Sequence, residues 1–397
     1  MPDALPIARL TIHQLAIPLR VRFRHAAAER NAANPLVVAI ELADRTIGYG
    51  ETHPREYVTG ESTESVIAAI QDVFLPILVD TRPRNFGEAI EAAANLPYTT
   101  DADEVITAAR AAVELALLDA YSRAFDRSLA HVAGYVDETL LGPPGSSATV
   151  RFSGVVSAGE PDRAARTIRR MRWARLCDFK IKVGDDEDDA RVRACVRALG
   201  RSLTRERTTL RLDANGGWSL DEATRRLLAW ESLPIACVEQ PLPKGNLQDW
   251  ADLAKCTVLP LMADESLVTP DDAEALIVHR AASWFNIRIS KNGGLIPALR
   301  LAVLARRHHL DLQLGCMVGE TSVLSAAGRW FLQLVPHVRF AEGSFGRFLL
   351  AEDITRRSLR FGLGGCWKPM TGPGLGVEVD PARLERLAAQ PSIELPF

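Results

Sequence analysis

The sequence predicts an α/β protein: a (β/α) barrel preceded by an α+β capping domain. Three observations predict it. From Val150 onward, eight short apolar runs of strand character alternate with helical patterns. Ahead of them, alternating strand patterns give way to helices, the order of an α+β unit. The chain has 397 residues, more than the roughly 250 of one barrel.

The elements follow in order. "ARLTIHQLAIPL" alternates as a strand does. "RVRFRHAAAERNAAN" is polar and basic and reads as a loop. "NPLVVAIELADRTIGYGET" reads as strand, turn and strand, with Asp44-Arg45 at the bend. "STESVIAAIQDVFLPIL" has helical spacing, as does the long "DADEVITAARAAVELALLDAYSRAF", with its acidic residues expected in the first turn. The eight barrel runs are "VRFSGVV", "DFKIKVG", "TTLRLDAN", "ACVEQP", "LPLMADES", "WFNIRISK", "DLQLGCM" and "HVRFAEGS". The tail, "CWKPMTGPGLGVEVD", is rich in Gly and Pro and too short for a domain, so it is expected to close back over the first one. The expected division is a capping domain over 1–130, a barrel over 131–365 and a returning segment over 366–397.

A formal net charge of -3 gives no basis for a nucleic-acid or membrane partner. The six cysteines form no CxxC pair, and their wide spacing suits neither a zinc site nor a disulfide framework. The first residues lack a basic region followed by a continuous apolar run, and no stretch has the length of a membrane span. A reduced, cytoplasmic setting is the expectation.

The second barrel run poses a question. Residues i and i+2 of a strand share a face, so Lys180 and Lys182 point the same way. Two ammonium groups in one space repel, and burial adds to the cost. An anionic group opposite them would resolve it.

Polar residues at the ends of the later runs supply candidates. They are Asp213, Glu239, Asp264, Lys291, Cys316 and Glu342, which from Lys182 onward fall 31, 26, 25, 27, 25 and 26 residues apart. One βα unit takes about that length, and barrels of this kind place their chemistry at the C-terminal ends of strands. Three converging carboxylates do not all stay ionised without a cation. Oxygen-only ligands suit Mg²⁺, or Mn²⁺ or Ca²⁺, rather than zinc. The lysines belong to the second and sixth strands, which face each other across a closed eight-stranded barrel.

Taken together, these motifs resemble the enolase superfamily and its muconate lactonizing enzyme branch. The resemblance spans nearly the whole chain: "GYGET", "ELALLDA", "FKIKVG", "LDANGGW", "VEQPL", "ADES", "NIRISKNGG", "GCM" and "PGLGVEVD". It implies a modified TIM barrel, (β/α)₇β, with an N-terminal α+β capping domain completed by the C-terminal tail. It implies metal ligation by Asp213, Glu239 and Asp264, acid–base lysines at Lys182 and Lys291, and Lys180 as the charge that steadies a substrate carboxylate. Asn215 and Glu265, beside ligands, are expected to orient ligands or lysines. One position departs: Arg288 stands where the family often has Lys, a change that conserves charge and is expected to matter little.

The reaction so implied is Mg²⁺-dependent removal of the proton α to a carboxylate, giving an enediolate. An amine base must be neutral to accept a proton; a neighbouring ammonium, a metal and burial all favour the neutral form of Lys182. Proton return from Lys291 makes a racemase or epimerase; a Lys291 that stays charged makes a cycloisomerase, or an o-succinylbenzoate synthase-like lyase with the same first step. A non-catalytic binding barrel and a Schiff-base aldolase are the readings from other classes. For the substrate's distal part, the candidates are Arg24 in the loop with Arg22, His25 and Arg30, then Tyr57, Cys316, Glu320 and Glu342. Glu320 is expected to cap the next helix in preference to meeting a cation. Glu342 stands alone where dipeptide epimerases often have Asp-x-Asp, which weakens a dipeptide reading. The expected partners are a small-molecule carboxylate and further copies of the chain.

Overall fold

The computed structural model describes residues 4–25, 28–142, 150–157, 159–204 and 207–397, with the side chains of 21–30 and 204 outside that description. Five strands open the chain: β1 (Ile7–Gln14), β2 (Ile17–His25), β3 (Ala28–Ala33), β4 (Leu36–Leu42) and β5 (Ile47–Thr52). β1, β4 and β5 form an antiparallel sheet. The last strand of the chain, β14 (Ile393–Pro396), joins it beside β1, with Arg9 opposite Pro396 and Ile12 opposite Ile393. The stretch expected as a loop is instead a β2–β3 hairpin, with Ile17 opposite Ala33 and His25 opposite Ala28. A polar ladder lacks the apolar alternation by which strands are read; besides its backbone pairing, Arg20 of β2 donates to Leu350 O and Ala351 O at 2.7 and 2.9 Å.

Helix Thr107–Ala124 packs on this sheet and is buried from Thr107 to Ser122. It starts later than the sequence suggests. Asp101–Glu104 precede it in a turn, and Glu61, far upstream, accepts from the free N–H groups of Ala108 and Ala109 at 2.7 and 3.0 Å. The "GYG" of β5 lets strand and helix touch: a Cβ on Gly50 would land on the Ala112 carbonyl. The helix expected over "STESVIAAIQDVFLPIL" is interrupted by a π turn at Ile70–Phe74, just before Pro76, whose ring cannot continue an α-helical bond.

Eight parallel strands follow: β6 (Gly154–Val156), β7 (Asp178–Lys182), β8 (Thr209–Asp213), β9 (Cys237–Glu239), β10 (Leu261–Ala263), β11 (Trp284–Ile287), β12 (Asp311–Leu314) and β13 (Phe340–Ala341). They pair in sequence order, each joined to the next through a helix. A parallel bridge between Phe152 and Ala341, with Ser153 N–H donating to Ala341 O at 2.8 Å, ties the last strand to the first. This is the (β/α)₇β barrel with an antiparallel cap. No helix among the described residues is long and apolar enough to cross a membrane.

Cap carboxylates hold the barrel's site-bearing loops. Glu51 of β5 accepts from Thr321 and Leu324 N–H at the start of helix Ser322–Leu334. Glu114 accepts from Leu295 and Ile296 N–H at the start of helix Leu295–Arg307. A carboxylate at a helix N-terminus meets both free N–H groups and the positive end of the dipole. The tail bonds the same long helix, Leu375 N–H donating to Asp119 and Gly374 N–H to Ser122.

Candidate active site

Strand register sets the site. Lys182 lies opposite Asp213, Asp213 opposite Glu239, and Glu239 opposite Met262, two residues before Asp264. Gln240, at φ 39, fastens two of these strand ends together. Its Oε1 accepts from Asp264 and Ser266 N–H at 3.0 and 3.1 Å, and its Nε2 donates to Leu242 O and Ser266 Oγ. Asn215, at φ 46, donates its N–H to Asp213 Oδ1 at 3.1 Å.

The two lysines of β7 share an anionic partner. Asp213 Oδ2 lies 3.2 Å from Lys180 Nζ and 3.3 Å from Lys182 Nζ. Lys180 also meets Glu239 at 3.1 Å and Glu342 at 2.8 Å. Burial works against its charge, but Glu239, Glu342 and Asp213 outweigh burial and hold its pKa above the ordinary lysine value. Burial likewise opposes the charge of Asp213, which Lys182 and Lys180 hold below the usual carboxylate range. Lys182 donates to Asn215 Oδ1 at 2.5 Å, and Asn215 Nδ2 donates to Glu265 Oε1 at 3.2 Å. The two residues named beside ligands are thus one chain leading to Lys182.

Lys291 sits in the turn beyond β11, with no exposed surface. Its Nζ donates to Asp264 O at 2.6 Å, Asp264 Oδ1 at 3.1 Å and Asn286 O at 2.9 Å. Burial, and after it Arg288, holds its pKa well below the ordinary value. Its strand, β11, stands four places round the sheet from β7, which carries Lys182.

Arg288 matters more than a conserved charge suggests. Its Nη2 bonds Asp264 Oδ2 and lies 3.7 Å from Glu239 Oε1, so one guanidinium spans two of the three carboxylates. A lysine is a point charge and lacks that fork.

Three inward residues escaped the sequence reading. Asn286 and Gln313 each donate an amide N–H to Glu239, at 2.9 and 3.1 Å. Arg211, fully buried, donates to Glu342 Oε1 at 3.0 Å and Ser153 Oγ at 3.2 Å and lies 4.0 Å over the Phe340 ring. The missed signal was parity: Arg211 stands two residues before Asp213 and so shares its face.

The strand ends open into a cavity of about 780 Å³, within the range of small-molecule sites. Lys180, Lys182, Asn215, Glu265, Arg288, Tyr57, Cys316, Glu320 and Glu342 line it; Lys291 lies behind the wall. Glu320 is not a helix cap. Thr321 fills that place, its side chain accepting from Val323 N–H, while Glu320 Oε1 accepts from Met317 N–H at 2.6 Å. Burial pushes the Glu320 carboxyl up to about 8. The side chains of Arg22, Arg24, His25 and Arg30 lie outside the described residues.

Among the described residues, no three His, Cys, Asp or Glu side chains are grouped so as to hold a metal ion as they lie. Lys180 and Arg288 stand between the carboxylates and set their spacing. The donor chemistry nonetheless fits a hard divalent cation. Asp213, Glu239 and Asp264 offer only oxygen, from neighbouring strand ends, without exposed surface. Buried acceptors without a donor remain around them: Glu265 Oε2, Asn286 Oδ1 and Gln313 Oε1.

Comparison with known proteins extends this picture. The description "Mandelate racemase / muconate lactonizing enzyme, N-terminal domain" matches residues 8–134, and "Enolase C-terminal domain-like" matches 163–383. The L-Ala-D/L-Glu epimerase of Clostridium acetobutylicum is 30% identical over 81% of this chain and 85% of its own. Muconate cycloisomerase 1-2 of Acinetobacter lwoffii is 30% identical over 92% and 90%. The crystal structure of N-succinyl Arg/Lys racemase from Bacillus cereus superposes with a TM-score of 0.84 at 26% identity, covering 98% of this chain and 100% of that one.

Proposed function

Since this chain belongs to the mandelate racemase/muconate lactonizing enzyme family, and is thereby an isomerase of the enolase superfamily, we propose that it racemises or epimerises the carbon α to a carboxylate with a divalent metal, Mg²⁺ or in its place Mn²⁺. One observation carries the reading. Lys182 on β7 and Lys291 behind β11 lie four strands apart in a ring of eight, with Asp213, Glu239 and Asp264 on the strands between.

Asp213, Glu239 and Asp264 would hold the cation. When bound, it supplies positive charge against the oxygens of a substrate carboxylate. Lys182 Nζ, on the cavity wall, takes the α proton. Removal of that proton spreads a second negative charge onto the carboxylate, and Lys180, kept charged by three carboxylates, faces it. Asn215, itself held by Glu265, fixes the direction of the Lys182 amine. Lys291 Nζ returns a proton to the opposite face, which requires it to leave at least one of its three acceptors. A cycloisomerase is the second reading, favoured by the 30% identity to a muconate cycloisomerase; there a substrate carboxylate would add to a carbon–carbon double bond, and Lys182, starting protonated, would give its proton to the α-carbon of the resulting enolate.

The test is solvent exchange in D₂O with Mg²⁺ across N-acyl amino acids, dipeptides and muconates, followed by NMR. Deuterium at the α-carbon of recovered substrate, with inverted configuration, is the expected outcome. A dehydrated product without exchange would point to elimination, and no exchange across the panel would overturn the proposal.

A further inference from the structure

The cavity has two unlike ends. The ionic end holds the lysines and carboxylates. The other is a wall of rings built where the chain leaves β13. Phe345 and Phe348 pack on Phe361 at 5.7 and 5.6 Å between centroids, and Phe361 stacks on Phe152 at 5.7 Å. Phe345, Phe348, Leu349 and Phe361 line the cavity, with Met171 and Leu176. Phe348 keeps 53% of its surface exposed, and an exposed ring on a cavity wall gains by covering.

Among the described residues, each carboxylate that lines the cavity already has a partner, and only Glu265, at the ionic end, keeps a buried oxygen without a donor. Both Glu342 oxygens are taken, one by Lys180 at 2.8 Å and the other by Arg211 at 3.0 Å. Glu320 is held by the Met317 N–H and at neutral pH is chiefly uncharged. Glu265 belongs to the Lys182 chain at the ionic end. Two further cations, Arg170 and Lys244, line the cavity and are exposed. A substrate ammonium or guanidinium directed away from the lysines would meet rings and like charge. Ring faces alone hold cations weakly, about 0.5–1 kcal/mol at exposed sites.

We infer that this cavity selects carboxylates whose distal group is uncharged and apolar, an aryl or alkyl chain covered by Phe345, Phe348, Leu349 and Phe361, and discriminates against distal ammonium and guanidinium groups. The inference deepens the isomerase reading, and it separates this chain from the structural relative named for Arg and Lys derivatives.

N-acetyl-L-norleucine and N-acetyl-L-lysine match in chain shape and differ in charge; N-acetyl-L-phenylalanine and N-acetyl-L-arginine widen the set. Binding to the Mg²⁺-loaded protein is measured by calorimetry, and α-deuterium exchange separately by NMR. The norleucine and phenylalanine compounds should bind at least about tenfold more tightly than the lysine compound, on the scale of covering one apolar side chain. Phe348→Ala and Phe361→Ala should each shrink the norleucine-to-lysine ratio, and Phe348→Leu should preserve most of it. Equal or tighter binding of the lysine or arginine compound overturns the inference. So does a ratio unchanged in both alanine variants, or no binding of any of the four at millimolar concentration. Discrimination in binding without exchange would support the inference and sink the isomerase reading; exchange without discrimination would do the reverse.

Discussion

Gly294 offers a sharp test of how the cap grips the loop that carries Lys291. Its backbone stands at φ 118 and ψ -170, a region essentially reserved for glycine that costs another residue about 1–3 kcal/mol. A Cβ there would fall 2.5 Å from Glu114 Cδ. Glu114 has no easy retreat, because it is fully buried and accepts from Leu295 and Ile296 N–H at 3.1 and 2.7 Å. Pushing it aside leaves two helix-terminal donors unpaired, at roughly 1–3 kcal/mol each. Gly294→Ala should therefore destabilise the fold by about 4 kcal/mol, a large share of the usual margin of ~5–15 kcal/mol. It should also lower turnover, since Lys291 lies three residues upstream. Urea unfolding of Gly294→Ala, Glu114→Ala and the double variant separates the terms. With the carboxylate already gone, the glycine substitution should cost only its backbone strain, giving a coupling of about 2 kcal/mol. Additive losses, or a loss below about 1 kcal/mol in Gly294→Ala, would refute the grip.

Lys182→Ala and Lys291→Ala should each lower α-exchange by at least about 10³-fold while circular dichroism stays native; full exchange in either removes that lysine from the proton path. Chelation should abolish turnover and Mg²⁺ or Mn²⁺ restore it, and Asp213→Asn should lose cation binding by calorimetry; unchanged rates after exhaustive EDTA would contradict the metal. Burial pushes Glu61 and Glu114 up to about 7, so the folded state holds these protons more tightly than the unfolded one. Their contribution to stability is fully present below about pH 4.5 and is lost as pH rises through 7, by up to about 3 kcal/mol each. Glu61→Gln and Glu114→Gln should flatten that slope in pH-resolved urea melts, and an unchanged slope would show that neither carboxyl titrates there.

The barrel was legible because each of its strands is a short apolar run between turn residues, and the site because its polar residues repeat with the length of one βα unit. Both signals are local or periodic. What stayed hidden depends on partners distant in sequence. The β2–β3 hairpin is polar and held by pairing. The start of helix Thr107–Ala124 is set by Glu61, 46 residues before Thr107. Glu320 looked like a cap because the neighbouring Thr321, with Glu51 and Asp353, already does that work at the same helix end. Arg288 looked conservative because a sequence shows its charge and not the two carboxylates it spans.

The charge count gives the opening lysine pair its physical sense. Five anions gather at the strand ends: Asp213, Glu239, Asp264, Glu265 and Glu342. Five cations face them: Lys180, Lys182, Lys291, Arg211 and Arg288. Most of the ten are buried and none is more than slightly exposed. With every group ionised the cluster is neutral, which is how a buried surface tolerates so many charges. That neutrality conflicts with basicity, because a lysine can accept a proton only after giving one up. One neutral lysine leaves a single uncompensated negative charge, which a cation held by the three carboxylates would offset. On the proposed reading Lys182 and Lys291 are neutral in turn, while Glu239, Glu342 and Asp213 hold Lys180 charged. The pair on β7 is one ammonium gripped by three carboxylates beside a second lysine that shares only Asp213 with it.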